Sequence, residues 1–141
     1  MKKVTPFLWY DNNAEEAMKF YVSIFKNAKI TSTGSFQIDG QEFMVFNGGP
    51  EFKFNEAVSL FVNCDTQQEV DELWEKLSAG GQKSRCGWLK DKYGLSWQII
   101  PSSLINMLND KDPAKSKRVM DAMLKMTKIN IEDLQKAYNQ K

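Results

Sequence analysis

No histidine occurs in the 141 residues, so the commonest general base and the commonest transition-metal ligand are both missing. Two thiols, dispersed carboxylates and a few hydroxyls and amides are left to do chemistry. The densest stretch is Cys86-Gly87-Trp88-Leu89-Lys90-Asp91-Lys92-Tyr93-Gly94-Leu95-Ser96-Trp97-Gln98. A thiol near Lys90 and Lys92 can be held as thiolate and act as a nucleophile or redox sensor. A buried cysteine serving as a small apolar residue is the commoner outcome, and Cys86 is read that way first. Lys90, Asp91, Lys92 and Tyr93 fit either a charged gate over a ligand or a tight turn. The turn is preferred, with Asp91 bonding its own backbone and Gly94 supplying an unusual φ. Asp91, Asp65 and Asp11 sit at strand ends with nothing to bring them together, so no acid/base carboxylate pair is expected. Gly48-Gly49-Pro50 has the composition of a phosphate cradle, but no helix opens behind it and a loop is the better reading. Cys64 and Cys86 are too few for a disulfide framework and match no zinc spacing, which suits reduced thiols in a cytoplasmic protein.

Nineteen basic against eighteen acidic residues leave a formal net charge of +1, so no field draws DNA, RNA or an anionic membrane. The cluster of Lys115, Lys117 and Arg118 lies among Asp112 and Asp121 and reads as a solvated helix face. No apolar run approaches the roughly 20 residues that span a bilayer, and the chain enters its first strand without a signal-peptide core. Hydrophobic residues at 42% and charged residues at 26% are ordinary for one globular domain.

The elements that must position these groups follow from pattern. Residues 4–10 read as a strand, with Pro6 keeping it near an edge. Asn13 is expected to cap a helix with Glu16 returning the bond, and Ala14, Ala17, Met18, Tyr21, Ile24 and Phe25 mark its buried face. Short strands are expected at 30–33 and 35–38, then a hairpin turn at Asp39-Gly40 into 41–47. The second half repeats the plan. It has a strand at 57–62, Thr66 capping a helix with Glu69 at its third position, and a Val70, Leu73, Trp74, Leu77 stripe. Strands follow near 83–85, 87–90 and 95–100. Phe20 set on Leu73 aligns Asn13 with Thr66 and Pro6 with Ser59, whereas Gly40 set on Gly94 aligns Met44 with Gln98 and Phe46 with Ile100. The two offsets differ by one residue and describe a degenerate β-α-β-β-β repeat about 50 residues long. Beyond Pro101 the pattern turns helical: a short helix near Leu104, one opened by Asp112-Pro113 with a Met-rich stripe, and one capped by Asn130 with an Ile129–Leu134 staple. The fold class is therefore α+β, with paired modules over 1–103 (about 1–50 and 57–103) and a helical extension over 104–141 of the same domain.

The stretches Pro6-Phe7-Leu8-Trp9, Ala14-Glu15-Glu16-Ala17, Phe46-Asn47-Gly48-Gly49-Pro50, Val58-Ser59-Leu60-Phe61-Val62-Asn63-Cys64 and Cys86-Gly87-Trp88-Leu89-Lys90-Asp91 carry a resemblance. So do Arg118-Val119-Met120-Asp121-Ala122-Met123 and Ile129-Asn130-Ile131 in the tail. Together they resemble the PhnB-like branch, labelled by a 3-demethylubiquinone 3-methyltransferase-like domain, of the vicinal oxygen chelate (glyoxalase/bleomycin-resistance) superfamily. That resemblance implies curved, mainly antiparallel sheets with helices on one side and a homodimer. In metal-dependent relatives four side chains on the inner side hold an ion. Here those positions fall near Pro6, Ser59, Met44 and Gln98, of which Gln98 alone could coordinate, so no metal and no other cofactor is expected.

If Pro6 and Gln98 face inward, strand parity adds Leu8, Tyr10, Ser96 and Ile100, with Met44, Phe46, Phe61 and Asn63 on the same side and Phe7, Trp9, Leu60, Val62 and Trp97 against the helices. Tyr10, Met44, Phe46, Ser59, Phe61, Cys86, Trp88 and Gln98 are the candidate ligand-binding residues, and no catalytic residue is assigned. The lining suits a small hydrophobic or aromatic molecule. Three readings stay open: a metal-independent binding protein, a metal-free isomerase, lyase or methyltransferase-like enzyme, and a structural or partner-binding dimer joined through the tail. No glycine-rich turn for a nucleotide-like cofactor is visible, which leaves the methyltransferase label unsupported.

Overall fold

The computed structural model describes residues 2–140, and the chain divides into two compact units, Met1–Asn55 and Glu56–Lys141. The first runs β1 (Phe7–Tyr10), α1 (Ala14–Ile24), β2 (Ala28–Ser32), β3 (Ser35–Ile38) and β4 (Gln41–Asn47). Its sheet has the order β1-β4-β3-β2, with β1 parallel to β4 and the other two pairings antiparallel. The first strand begins at Phe7 rather than at residue 4, because Pro6 has no N–H for a ladder and contributes only its carbonyl, which accepts from Met44 N–H at 2.9 Å. Helix α1 buries Ala14, Ala17, Met18 and Tyr21, as its repeat predicts. The expected Asn13 cap is absent: its side chain makes no capping bond, and Asn47 at the end of β4 accepts from Ala14 N–H at 2.9 Å instead. A residue 33 positions away thus satisfies the helix start. Asp39 and Gly40 both have positive φ, at 50° and 80°, the backbone of a type I′ hairpin turn.

The second unit runs β5 (Ser59–Cys64), α2 (Gln67–Ser78), β6 (Gln82–Lys83), β7 (Trp88–Lys90), β8 (Ser96–Pro101), α3 (Ser102–Leu108), α4 (Pro113–Met123) and α5 (Ile131–Asn139). Sheet order is β5-β8-β7-β6, again with one parallel pairing, β5 to β8. The capping device expected at α2 is present: Thr66 accepts from Glu69 N–H at 3.1 Å and Glu69 accepts in return from Asp65 N–H at 2.9 Å. Val70, Leu73, Trp74 and Leu77 are buried.

Asp91 makes the turn its residue type predicts, and more. Its Oδ1 accepts from Tyr93 N–H at 2.9 Å and Leu95 N–H at 3.1 Å, and its Oδ2 accepts from Trp97 Nε1 at 2.9 Å. Gly94 closes the turn at φ 88°, and Asp91 itself is only 2% exposed.

The helical tail packs on its own unit. Ile129 and Leu134, the expected staple, are fully buried with Val119 and Leu104 against Ile100 of β8. Polar bonds hold the segment between α4 and α5. Cys86 N–H donates to Met126 O at 2.9 Å, Gly87 N–H to Thr127 O at 2.8 Å, and the Gln67 amide both donates to Ile129 O at 3.0 Å and accepts from Ile131 N–H at 2.7 Å. Lys128 pairs with Asp71 at 2.9 Å. Gly87 permits this approach: at φ 82°, a Cβ there would lie 2.8 Å from Ile100 Cδ1 and 3.1 Å from Ile129 Cγ1.

Two stability outcomes follow. Asp91→Ala leaves an indole N–H and two amides unpaired in a dry environment, and is expected to cost about 3 kcal/mol, or roughly 10 °C in Tm by thermal melting. A variant within a degree of the parent would show that the carboxylate is dispensable. Gly48 carries the second: a Cβ there would meet the Trp9 indole at 2.2–2.6 Å, while Trp9 Nε1 is held by Gly49 O at 2.9 Å. Gly48→Ala is expected to destabilise by about 2 kcal/mol through overpacking and to shift tryptophan emission, whereas unchanged emission and Tm would mean that the indole is free to move.

Candidate functional site

In each sheet one face packs on the unit's own long helix, and the other is exposed in the first unit and partly covered by the tail in the second. Register decides which side chains share the open face, because residues paired across a ladder point the same way. In the first unit Phe7 pairs with Met44 and Trp9 with Phe46. Their rings touch: Phe7 and Phe46 lie 5.0 Å apart, Trp9 and Phe46 4.8 Å, and Trp9 and Phe52 of the following loop 4.9 Å. Phe7 is 55% exposed and Phe46 37%.

This corrects the parity expected for the first strand. Leu8 and Tyr10 belong to the helix side, and Phe7 and Trp9 to the open side. Tyr10 is 2% exposed, shares a 2.9 Å hydrogen bond with the Tyr21 hydroxyl on α1 and stacks edge-on against Phe54, so it is removed from the candidate site. The cause is the choice of offset. Phe7 stands opposite Met44 as Phe61 stands opposite Gln98, so the first strand follows the 54-residue offset of the hairpins and not the 53-residue offset of the helix caps. The connection between β1 and α1 is one residue longer than that between β5 and α2, and a one-residue slip turns every side chain over. Pro6 therefore drops out as the counterpart of Ser59, and Thr5 takes that place. Phe7, Trp9 and Phe52 are the residues missed, and the Gly40–Gly94 alignment extended back to the first strand would have found the first two.

In the second unit the expected residues do converge. Phe61 pairs with Gln98 from one side and Trp88 pairs with Gln98 from the other, so all three share the open face. Ser59 is on that face too, and Gln98 Nε2 donates to its Oγ at 3.0 Å. Phe61 is 50% exposed, and Trp88 and Gln98 are half-buried. Lys90, in register with Ser96, forms an ion pair with Glu56 that holds the Glu56 carboxyl below its usual range. Ser96 and Ile100 follow the expected parity, but both are buried, Ile100 beneath the tail helices.

Cys86 lies apart from this group. It is in a left-handed conformation at φ 58°, and its backbone serves the tail clasp. Both thiols are free, and burial, followed by the negative charge of Glu69, pushes the Cys64 thiol up to about 12, which leaves it protonated and unreactive at neutral pH. Gly48-Gly49 receives an indole and not a phosphate. Two surface depressions, one at Gln67, Asn130, Ile131, Glu132 and Gln135 and one at Asn12, Asn13, Glu15, Glu16, Lys19 and Asn47, contain none of the candidate residues.

The donor set does not suit a divalent ion. The positions that the sequence resemblance marked for ligands, with Thr5 now in place of Pro6, hold threonine, serine, methionine and glutamine, and among the described residues no three His, Cys, Asp or Glu side chains gather into a metal-holding group.

The family described as 3-demethylubiquinone-9 3-methyltransferase matches residues 2–35 and 31–100. A PhnB protein from Bacillus cereus is similar at 35% identity, over 71% of this chain and 99% of that one, with a TM-score of 0.67. The protein PA1353 from Pseudomonas aeruginosa, 16% identical over 72% and 98% of the two chains, has a TM-score of 0.59 and shares the fold. No curated protein matches the chain. The match ends at residue 100, before α3, α4 and α5. Two βαβββ modules in sequence, a family match across both and a PhnB relative at this identity carry one conclusion: the chain belongs to the 3-demethylubiquinone-9 3-methyltransferase-like, PhnB-like family, on the glyoxalase-like fold.

Proposed function

We propose that this protein is a metal-independent binder of a small, planar, largely apolar molecule, acting as a homodimer in the cytoplasm. The observation that carries the reading is the open face of the second unit, where Gln98, hydrogen-bonded to Ser59, is set between Phe61 and Trp88. Aromatic walls with one or two fixed polar groups are the usual composition of a small-molecule site. The aromatic group Phe7, Trp9, Phe46 and Phe52 on the first unit supports both ligand contact and self-association, since exposed apolar surface of this kind is normally covered in use. The unpaired thiols suit a reducing compartment.

Binding is preferred to catalysis because the groups able to do chemistry are committed elsewhere. The Tyr10 hydroxyl bonds Tyr21, the Asp91 carboxylate bonds Trp97, and burial keeps the Cys64 thiol protonated. Ser59 has an amide beside it, and the chain has no histidine to activate its hydroxyl. The methyltransferase label of the family finds no support in a glycine-rich turn, since Asp11-Asn12-Asn13 and Asp65-Thr66 lead into α1 and α2. Self-association through the tail is less favoured than through the sheets, because Val119, Ile129 and Leu134 are used on the tail's own unit.

Titration of the purified protein with Zn, Ni, Mn and Fe(II) salts, followed by calorimetry, is expected to give no stoichiometric binding in the micromolar range; a one-to-one isotherm there would overturn metal independence. An aromatic-compound screen read by thermal shift is expected to yield ligands that raise Tm by several degrees at about 100 times Kd. Phe61→Ala is expected to abolish that rise without altering the unliganded Tm by as much. A panel in which no compound shifts the melt, or in which Phe61→Ala makes no difference, would remove the binding site from this face.

A further inference from the structure

The second unit's open face has a definite hydrogen-bond signature, and its consequence rests on the binding function proposed above. Strands lie about 4.8 Å apart, so Phe61 and Trp88 leave the sheet roughly 10 Å from each other with Gln98 midway. That gap accepts one planar ring in face contact with both, at about 3.5–4.0 Å from each. At the floor, Gln98 Nε2 donates one hydrogen to Ser59 Oγ at 3.0 Å. The amide has two N–H groups and a carbonyl with two lone pairs, so one donor and one acceptor remain side by side. Rotating the amide by half a turn, with Ser59 donating to Oε1, leaves two N–H donors and one lone pair, so a donor and an acceptor are still both offered. The Ser96 hydroxyl, in register with Ser59, is buried with no hydrogen-bond partner.

We infer that the slot selects planar heterocycles bearing a lactam or imide edge, an N–H beside a C=O. The ligand's N–H meets Gln98 Oε1, its carbonyl accepts from Gln98 Nε2, and its ring stacks between Phe61 and Trp88. A hydrocarbon of equal area fills the slot but strands the amide, and a carboxylate places two acceptors against one donor and one acceptor.

Three matched probes test this on the full chain: 2-quinolinone, its N-methyl derivative and quinoline, each titrated by quenching of tryptophan fluorescence. 2-Quinolinone is expected to bind about tenfold more tightly than the other two, the equivalent of one net hydrogen bond. Gln98→Leu should level the three affinities, and Ser59→Ala should narrow the preference by freeing the amide to rotate. Phe61→Ala should weaken all three. Equal affinities in the parent, with Phe61→Ala still weakening each, would overturn the lactam selectivity and leave the binding function standing. No saturable quenching by any probe at millimolar concentration would overturn both.

Discussion

The Asp91 carboxylate is the interaction on which the second unit's open face depends. A charged group almost wholly removed from water survives only if its oxygens are saturated, and here an indole N–H and two turn amides do so. The bonds to Tyr93 and Leu95 fix the turn between β7 and β8, and the bond to Trp97 pins that side chain on the helix side of β8. Side chains alternate along a strand, so placing Trp97 inward puts Gln98 outward, between Phe61 and Trp88. One buried acid thus sets both a turn and a facing. The charge at this position serves architecture, which is why it offers no chemistry to a ligand.

The tail makes the two open faces unequal. By register, Phe46 in the first unit corresponds to Ile100 in the second, yet Phe46 is exposed and Ile100 lies under Val119, Ile129 and Leu134. Attachment uses backbone groups freed by the left-handed pair Cys86-Gly87, whose amides point at the carbonyls of Met126 and Thr127. A segment beyond the family match therefore closes one end of a sheet that the matched residues leave open. What remains uncovered is the Ser59, Phe61, Trp88 and Gln98 group. The first unit has no such cover and presents a continuous aromatic surface instead.

Much of the fold was legible in local pattern. The Asp39-Gly40 turn, the Thr66–Glu69 capping pair, the Asn130 cap and the Ile129–Leu134 staple each rest on residues within five positions of one another, where steric preference and one or two hydrogen bonds decide the outcome. The Asn13 cap failed for the complementary reason: Asn47 supplies the acceptor from across the unit, and no local pattern announces it. The site divides in the same way. Ser59, Phe61, Trp88 and Gln98 share one face because their strands pair in register without a slip, while Tyr10 was misplaced by the extra residue before α1.

The sequence by itself determined the repeated β-α-β-β-β plan, the family, the absence of a histidine ligand set and the identity of the turns, because these are matters of residue type and short-range spacing. Tertiary structure decided which way the first strand faces, which apolar surface the tail covers and which partner receives each buried polar group. Those outcomes depend on strand register and on contacts made across dozens of residues. A shift of one position leaves the hydrophobic count unchanged, yet it exchanges the face that meets the helix for the face that meets a ligand.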